Sequence, residues 1–386
     1  MKYDFDTIID RKNTNSQKWD YYDTQLPMWL GDMDFKTAPE IIQKLDKRVQ
    51  HGIFGYATIP DEYFQSYVDW WDRRHDFKMK KEELLFSTGV MPSIASIIRE
   101  FTKENDFILL QTPVYNYFIK VILNNNRKII ENQLNYDGET YSIDFDDLEE
   151  KLSKDSTKMM ILCNPHNPIG KIWTKDELEK IATLCKTHDV LLVSDEIHCD
   201  LVNPGNEYTP VSTTVNDSDH IITCLAPTKA FNIAGIQSSV LHIPNDEYYE
   251  KIKFRLDLEY SSNINVFSIV ATITAFNDSE EWLNQLNEYI YQNKLIVDDF
   301  LKNELPTIKL VPSDATYFLW MDCSQINMPS DELNEYINET SGLIMVAGKH
   351  FGDNGDTFLR INIACPREML LDGLNRFKKA IDTLKK

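Results

Sequence analysis

Apolar residues recur along this chain in two rhythms, and the alternation between them predicts the fold. Short, nearly unbroken apolar runs stand at 84–86, 107–110, 159–163, 190–193, 220–225 and 238–243. Between several of them apolar positions recur three and four residues apart, as at Ile94, Ile97, Ile98 and Phe101, which places them on one helical face. Continuous apolar strands separated by helical segments describe a mostly parallel sheet covered on both faces, so an α/β fold with a sheet flanked by helices is expected.

The flanks differ from this centre. Residues 1–38 are polar, aromatic and irregular, and read as an arm that packs on something else. A helix starts near Pro39 and ends near His51, with Ile41, Ile42, Leu45 and Val49 on one face and Gly52 as its stop. Tyr63, Tyr67, Trp70 and Trp71 mark an aromatic helix, and Thr174 with Glu177 gives a capping box to another. After Pro244 helical patterns dominate through residue 304, with a long charged stretch from Glu280 to about Leu305. Strand-like runs at 316–321 and 357–363 and a closing helix from about Pro366 to Leu384 then describe a smaller α+β unit. The expected division is an N-terminal arm over 1–45 packing with the small domain, a large domain over 46–285 and a small C-terminal domain over 286–386. The boundary near 280–300 is carried by a helix, since no flexible linker or internal repeat is visible.

Composition narrows the function. The 386 residues include 42% hydrophobic ones and 19 Phe, 18 Tyr and 7 Trp, enough for a large core. Against 61 Asp+Glu stand 40 Lys+Arg, a formal charge of −21, which repels phosphate backbones and anionic lipid and argues against nucleic-acid and membrane partners. The six cysteines show no C-x-x-C pair, and most lie in or beside apolar runs, as buried thiols do in a reducing compartment. No metal site is expected. The first residues lack the apolar stretch of a signal peptide and no run approaches the length of a membrane helix, so a cytoplasmic protein is expected.

Four polar residues interrupt this pattern at, or just past, the C-terminal ends of predicted strands: Tyr115, Asn167, Asp195 and Lys229. Each has an ordinary explanation alone. Asn167 lies in a double Asn-Pro turn, Asp195-Glu196 could cap a helix, His198 could be a satisfied core histidine, and Arg360 an ion pair at a core edge. Strand ends of a parallel sheet converge on one edge, however, so the four can line one pocket. A desolvated lysine can condense with an aldehyde, a carboxylate can hold a cationic ring nitrogen, an amide can reach a phenolic oxygen and a tyrosine can stack on a ring. The small residues before the helix at 90–101 leave free N–H groups for an anion. Together these are the requirements of pyridoxal 5′-phosphate.

The motifs DRKNTNS (10–16), MWLGDMDF (28–35), HGIFGY (51–56), CNPHNPIG (163–170), SDEIH (194–198), APTKAFNIAG (226–235) and FLRINIACPR (358–367) also carry a resemblance. Over essentially its whole length the chain resembles the fold-type I pyridoxal-phosphate enzymes of the class I/II aminotransferase superfamily, and within it the cystathionine β-lyase (C–S lyase) group of MalY/PatB type. The resemblance implies that Lys229 carries the cofactor, Asp195 pairs with the ring nitrogen, Asn167 bonds the ring oxygen and Tyr115 stacks on the ring. It implies that Gly89, Val90, Met91 and Thr228 hold the phosphate, that Tyr56 reaches it from the other subunit of a homodimer, and that Arg360, with Gly31 and Asn167, binds the substrate. Catalysis would fall to Lys229 and Tyr115. His198 stands where many aminotransferases have a tyrosine at the ring oxygen, and Gln237 where they often have a phosphate-binding arginine. The implied activity is α,β-elimination of L-cystathionine or a related cysteine thioether to a thiol, pyruvate and ammonia. An aminotransferase shares the early steps, and a regulatory protein acting through a protein partner is the alternative from another class.

Overall fold

The computed structural model describes residues 2–384. Seven strands form its central sheet: β1 (Leu84–Ser87), β2 (Phe107–Leu110), β3 (Lys128–Glu131), β4 (Thr157–Cys163), β5 (Leu191–Asp195), β6 (Ile221–Leu225) and β7 (Ser239–His242). Their spatial order is β1-β7-β6-β5-β4-β2-β3. All run parallel except β7, which is antiparallel to both neighbours, pairing Val240 with Phe86 and with Leu225. The sheet is thus mostly parallel, as the apolar runs predicted. Strand β3 was not predicted. Its Lys-Ile-Ile-Glu sequence is half-exposed at the sheet edge and too polar to stand out.

Both faces of the sheet are covered. Ile161, Val193, Ile222 and Cys224 pack on one side with Ile94, Ile97 and Ile98 of helix Val90–Phe101. Leu162, Leu192 and Ile221 pack on the other with Leu178 and Ile181 of helix Lys175–Thr187. Adjacent strand residues alternate between the two clusters, as the pleat requires. Burying each such side chain contributes ~2 kcal/mol.

A second sheet follows in antiparallel order β8-β9-β11-β10, from β8 (Lys309–Leu310), β9 (Phe318–Asp322), β10 (Val346–Ala347) and β11 (Phe358–Asn362). The early segment Leu26–Pro27 pairs in parallel with Leu343–Ile344, and Phe5 packs against Phe35, Trp282 and Tyr289. Helix Pro39–Gln50 runs across residue 45 and the 25-residue helix Glu280–Glu304 runs across residue 285. One apolar cluster continues from Trp70 and Phe231 through Trp282 to Leu333 and Ile361. All six cysteines are buried and free. No helix among the described residues is long and apolar enough to cross a membrane.

Candidate active site

The site grows from three strand ends. Cys163, Asp195 and Cys224 lie side by side in β4, β5 and β6, and the turns that follow carry Asn167, His198 and Lys229. A cavity of about 960 Å³ opens there, lined by Gly31, Gly89, Val90, Met91, Tyr115, Asn167, Asp195, His198, Lys229 and Arg360. That is the place where open α/β sheets bind ligands, and at the upper end of ligand-site volumes.

Lys229 sits in a tight turn after β6, closed by Phe231 N–H donating to the Pro227 carbonyl and Ile233 N–H to the Thr228 carbonyl, each at 3.0 Å. Buried Ala230 and Phe231 anchor the turn, leaving the lysine aimed into the cavity. Its Nζ donates to the Gly31 carbonyl at 2.6 Å. Desolvation pulls the amine down to about 8; the Arg360 guanidinium adds to this, while the Asp32 and Asp195 carboxylates oppose it. A Cβ at position 31 would lie 3.0 Å from Nζ and 3.2 Å from the Phe318 ring, so a larger residue there would press on both.

Asp195 ends β5 and accepts from the Ile197 N–H at 3.1 Å. Burial pushes its carboxyl up to about 7, against that hydrogen bond and the charge of Lys229. A buried acid so poorly compensated calls for a cationic partner. His198 has edge-on neighbours in Tyr317 and Phe318, and its Nδ1 has no partner. Burial holds it down to about 3, so it is neutral.

Arg360 comes from β11 of the second sheet. Its Nη1 donates to Asn167 Oδ1 at 3.1 Å and its Nη2 to the Trp29 carbonyl at 3.0 Å. The guanidinium lies 3.9 Å from the Phe318 ring centre, and its Nε has no partner. Burial lowers its pKa to about 10, so it stays a cation at neutral pH. Tyr115 packs on Tyr117 with centroids 5.3 Å apart, and burial drives its phenol well above the usual range. It keeps its proton.

At the far wall, helix Val90–Phe101 begins at the cavity after an extended Gly89. The N–H groups of Val90 and Met91 have no helical acceptor, while Pro92 has none to offer, so the helix start presents donors and positive potential to an anion.

This donor set fits pyridoxal 5′-phosphate. It provides a depressed amine for an aldehyde, an under-compensated buried acid for a ring cation, an amide with a spare Nδ2 beside it and unpaired N–H groups for a phosphate. Thr228, expected at the phosphate, is buried in the Lys229 turn outside the lining, and Tyr56, expected to serve the other subunit's site, is fully exposed outside the lining of its own chain's cavity. Gln237 is exposed, with a left-handed backbone at φ 59°. Sequence reasoning missed Asp32, Tyr317 and Asn362, which act on the loop above Lys229. It also missed the face of helix Ser330–Ser341 that brings Asp331, Asn334 and Asn338 to the cavity. The polar spacing 331, 334, 338 was the available signal, but it matches an ordinary solvated helix face.

Comparison with known proteins agrees with this geometry. The family described as aminotransferase class I and II matches residues 24–377. The chain is 37% identical to cystathionine β-lyase PatB of Bacillus subtilis over 98% of its own length and 99% of the relative's. Among solved structures, cystalysin of Treponema denticola, which contains a pyridoxal 5′-phosphate cofactor, superimposes with a TM-score of 0.96 at 36% identity over the whole of both chains. The pyridoxal-phosphate-bound C–S lyase of Staphylococcus hominis gives 0.93 at 33% identity over 98% of each chain.

Proposed function

The chain belongs to the class I and II aminotransferase family, and within it we propose a pyridoxal-phosphate-dependent carbon–sulfur lyase that eliminates a thiol from L-cystathionine or a related cysteine thioether. The observation that carries the reading is the near-complete alignment with a cystathionine β-lyase at 37% identity, on a chain whose Lys229, Asp195, Asn167 and Arg360 converge on one cavity.

Bound pyridoxal 5′-phosphate supplies the electron sink that lets a Cα–H bond and then a Cβ–S bond break. Lys229 is the residue that would hold it covalently. Asp195 would hold the protonated ring nitrogen, Asn167 Nδ2 would donate to the ring oxygen beside His198, and Tyr115 would cover the ring face. Val90 and Met91 N–H groups would bind the phosphate, with Gly89 leading into that helix start. Arg360 grips the substrate α-carboxylate, aided by the Gly31 backbone and Asn167. Once free, the Lys229 amine is basic enough to take the Cα proton yet neutral near pH 8. Tyr115, which burial keeps protonated, or Lys229 would give a proton to the departing sulfur. The released enamine hydrolyses to pyruvate and ammonia.

The assembly in this reading is a homodimer. Ile53, Phe54 and Tyr56 are exposed large hydrophobic residues within four positions of one another, which a second copy would cover while Tyr56 reaches that copy's phosphate site. The division at residues 45 and 285 and a cytoplasmic location belong to the same reading.

The test supplies purified protein with pyridoxal 5′-phosphate and L-cystathionine but no keto acid. Equal pyruvate and thiol, both abolished by Lys229→Ala, are expected. Turnover that begins only when a keto acid is added, with glutamate or alanine accumulating, would replace the lyase with an aminotransferase.

A further inference from the structure

Residues 29–32 form the roof over Lys229, and one strand of the second sheet holds them. Arg360 and Asn362 are alternate residues of β11 and project to the same side. Arg360 binds the Trp29 carbonyl, and the Asn362 amide donates to the Leu30 and Asp32 carbonyls at 2.6 and 2.8 Å. Asn362 Oδ1 in turn accepts from the Ala364 N–H at 2.8 Å, so this side chain, 1% exposed, uses both amide hydrogens and its oxygen. Between the two carbonyls it grips lies Gly31. The Gly31 carbonyl accepts from Lys229 Nζ at 2.6 Å and from the buried Tyr317 hydroxyl at 3.0 Å.

We propose that Asn362 and Tyr317 are positioning residues of the reaction: together they aim the Gly31 carbonyl at Lys229, making it the resting acceptor of the lysine amine whenever that amine is free. The proposal rests on Lys229 being the reacting lysine of the proposed lyase.

Asn362 fixes the peptide planes that flank the Gly31–Asp32 peptide, and the Tyr317 hydroxyl holds the Gly31 carbonyl itself, so turning that carbonyl breaks the Tyr317 bond and works against two anchored neighbours. A carbonyl oxygen has two acceptor positions. Tyr317 fills one, which leaves a single direction for the amine. An amine held by one of its hydrogens keeps its lone pair free for a proton, and holding it in place removes a search at each turnover. A Cβ at position 31 would lie 3.0 Å from Nζ, so glycine leaves the amine room for this approach.

The charged groups around the amine are Asp32, Asp195 and Arg360; His198 is neutral, and burial keeps the Tyr115 and Tyr317 phenols protonated. Neither Asn362→Leu nor Tyr317→Phe adds or removes a charge, so these variants act on the carbonyl. The cofactor-free protein is carbamylated across a pH series, and labelling of residue 229 is read by peptide mass against exposed lysines. A well-aimed carbonyl favours the ammonium form, so each variant is expected to move the Lys229 midpoint downward by about half a unit or more. With S-methyl-L-cysteine the loaded Tyr317→Phe enzyme is expected to lose roughly five- to tenfold in kcat, with KM little changed. If Asn362→Leu does not fold, Tyr317→Phe carries the test alone. A Lys229 midpoint and kcat unchanged in a folded Tyr317→Phe protein would overturn the proposal, as would a loss confined to Tm. The labelling needs neither cofactor nor turnover, so its result stands even where the lyase assay fails.

Discussion

Arg360 Nη1 donates to Asn167 Oδ1 at 3.1 Å, joining residues 193 apart in sequence and tying the second sheet to the end of the first. The bond leaves Asn167 Nδ2 as a donor toward the cavity and Arg360 Nε without a partner. One contact therefore orients both the group proposed for the ring oxygen and the group proposed for the substrate carboxylate.

Arg360→Lys tests this arrangement. Lysine keeps the charge but offers three donors at one point in place of a planar fork, so it cannot give a carboxylate a paired contact while holding Asn167 and Trp29. Loss of the bidentate contact is expected to lower kcat/KM for L-cystathionine ~100-fold, on the scale of charge-assisted hydrogen bonds, with most of the change in KM. Steady-state kinetics read it. A change confined to kcat would remove Arg360 from substrate binding.

Cofactor uptake should report the Lys229 amine directly. Only the neutral amine attacks an aldehyde, and burial brings this one down to about 8 from an ordinary 10.5. The rate at which cofactor-free protein takes up pyridoxal 5′-phosphate is therefore expected to rise with pH through a midpoint near 8. The Asp32 carboxylate opposes the downward shift, so Asp32→Asn should move the midpoint lower still. Stopped-flow absorbance of the cofactor follows both. A midpoint near 10 in the unaltered chain would contradict the burial of this amine.

Lys229 and Asp195 were legible in the sequence because each interrupts an apolar run where a buried strand meets its turn. A charged side chain there has few structural reasons to exist. Arg360 was legible for the same reason, in an otherwise apolar strand. Asn362 shares β11 with Arg360 and Tyr317 directly precedes β9, yet they bind backbone carbonyls of residues 29–32, more than 280 positions away, and no local pattern records such a partner. Strand β3 was hidden by its edge position, where polar side chains are favoured. The helix expected across residues 280–300 is Glu280–Glu304, and Pro39–Gln50 likewise crosses residue 45, so no linker marks the proposed division.

A second buried lysine gives a stability prediction away from the cavity. Lys294, in helix Glu280–Glu304, donates to Ser313 Oγ and the Ala315 carbonyl, each at 3.1 Å, and burial lowers it to about 7. Between about pH 7 and 10.5 the unfolded chain holds a proton that the folded chain lacks, so stability rises with pH across that window. The contribution is full above 10.5 and is lost as pH falls through 7. Lys294→Met is expected to flatten this part of the pH profile in urea unfolding of the cofactor-free protein. An unaltered slope would mean that Lys294 is charged in the fold.

The dimer can be tested through Tyr56 without any structure of it. Tyr56 is fully exposed and stands outside the lining of its own chain's cavity, whereas Lys229 is inside it. If Tyr56 serves the partner's phosphate, Tyr56→Ala and Lys229→Ala damage opposite halves of each site. A mixed dimer then holds one site with both defects and one with neither. Unfolding and refolding the two variants together, assayed with pyridoxal 5′-phosphate too dilute to load Tyr56→Ala, should restore about a quarter of wild-type activity, since half of the dimers are mixed and each has one intact site. Neither variant alone should recover under the same treatment, and Tyr56→Ala alone should need more pyridoxal 5′-phosphate to reach saturation. If the mixture stays as inactive as its components while wild-type protein refolds normally, Tyr56 does not act across subunits. If instead Tyr56→Ala retains full activity and cofactor affinity, its exposure needs another explanation than the phosphate.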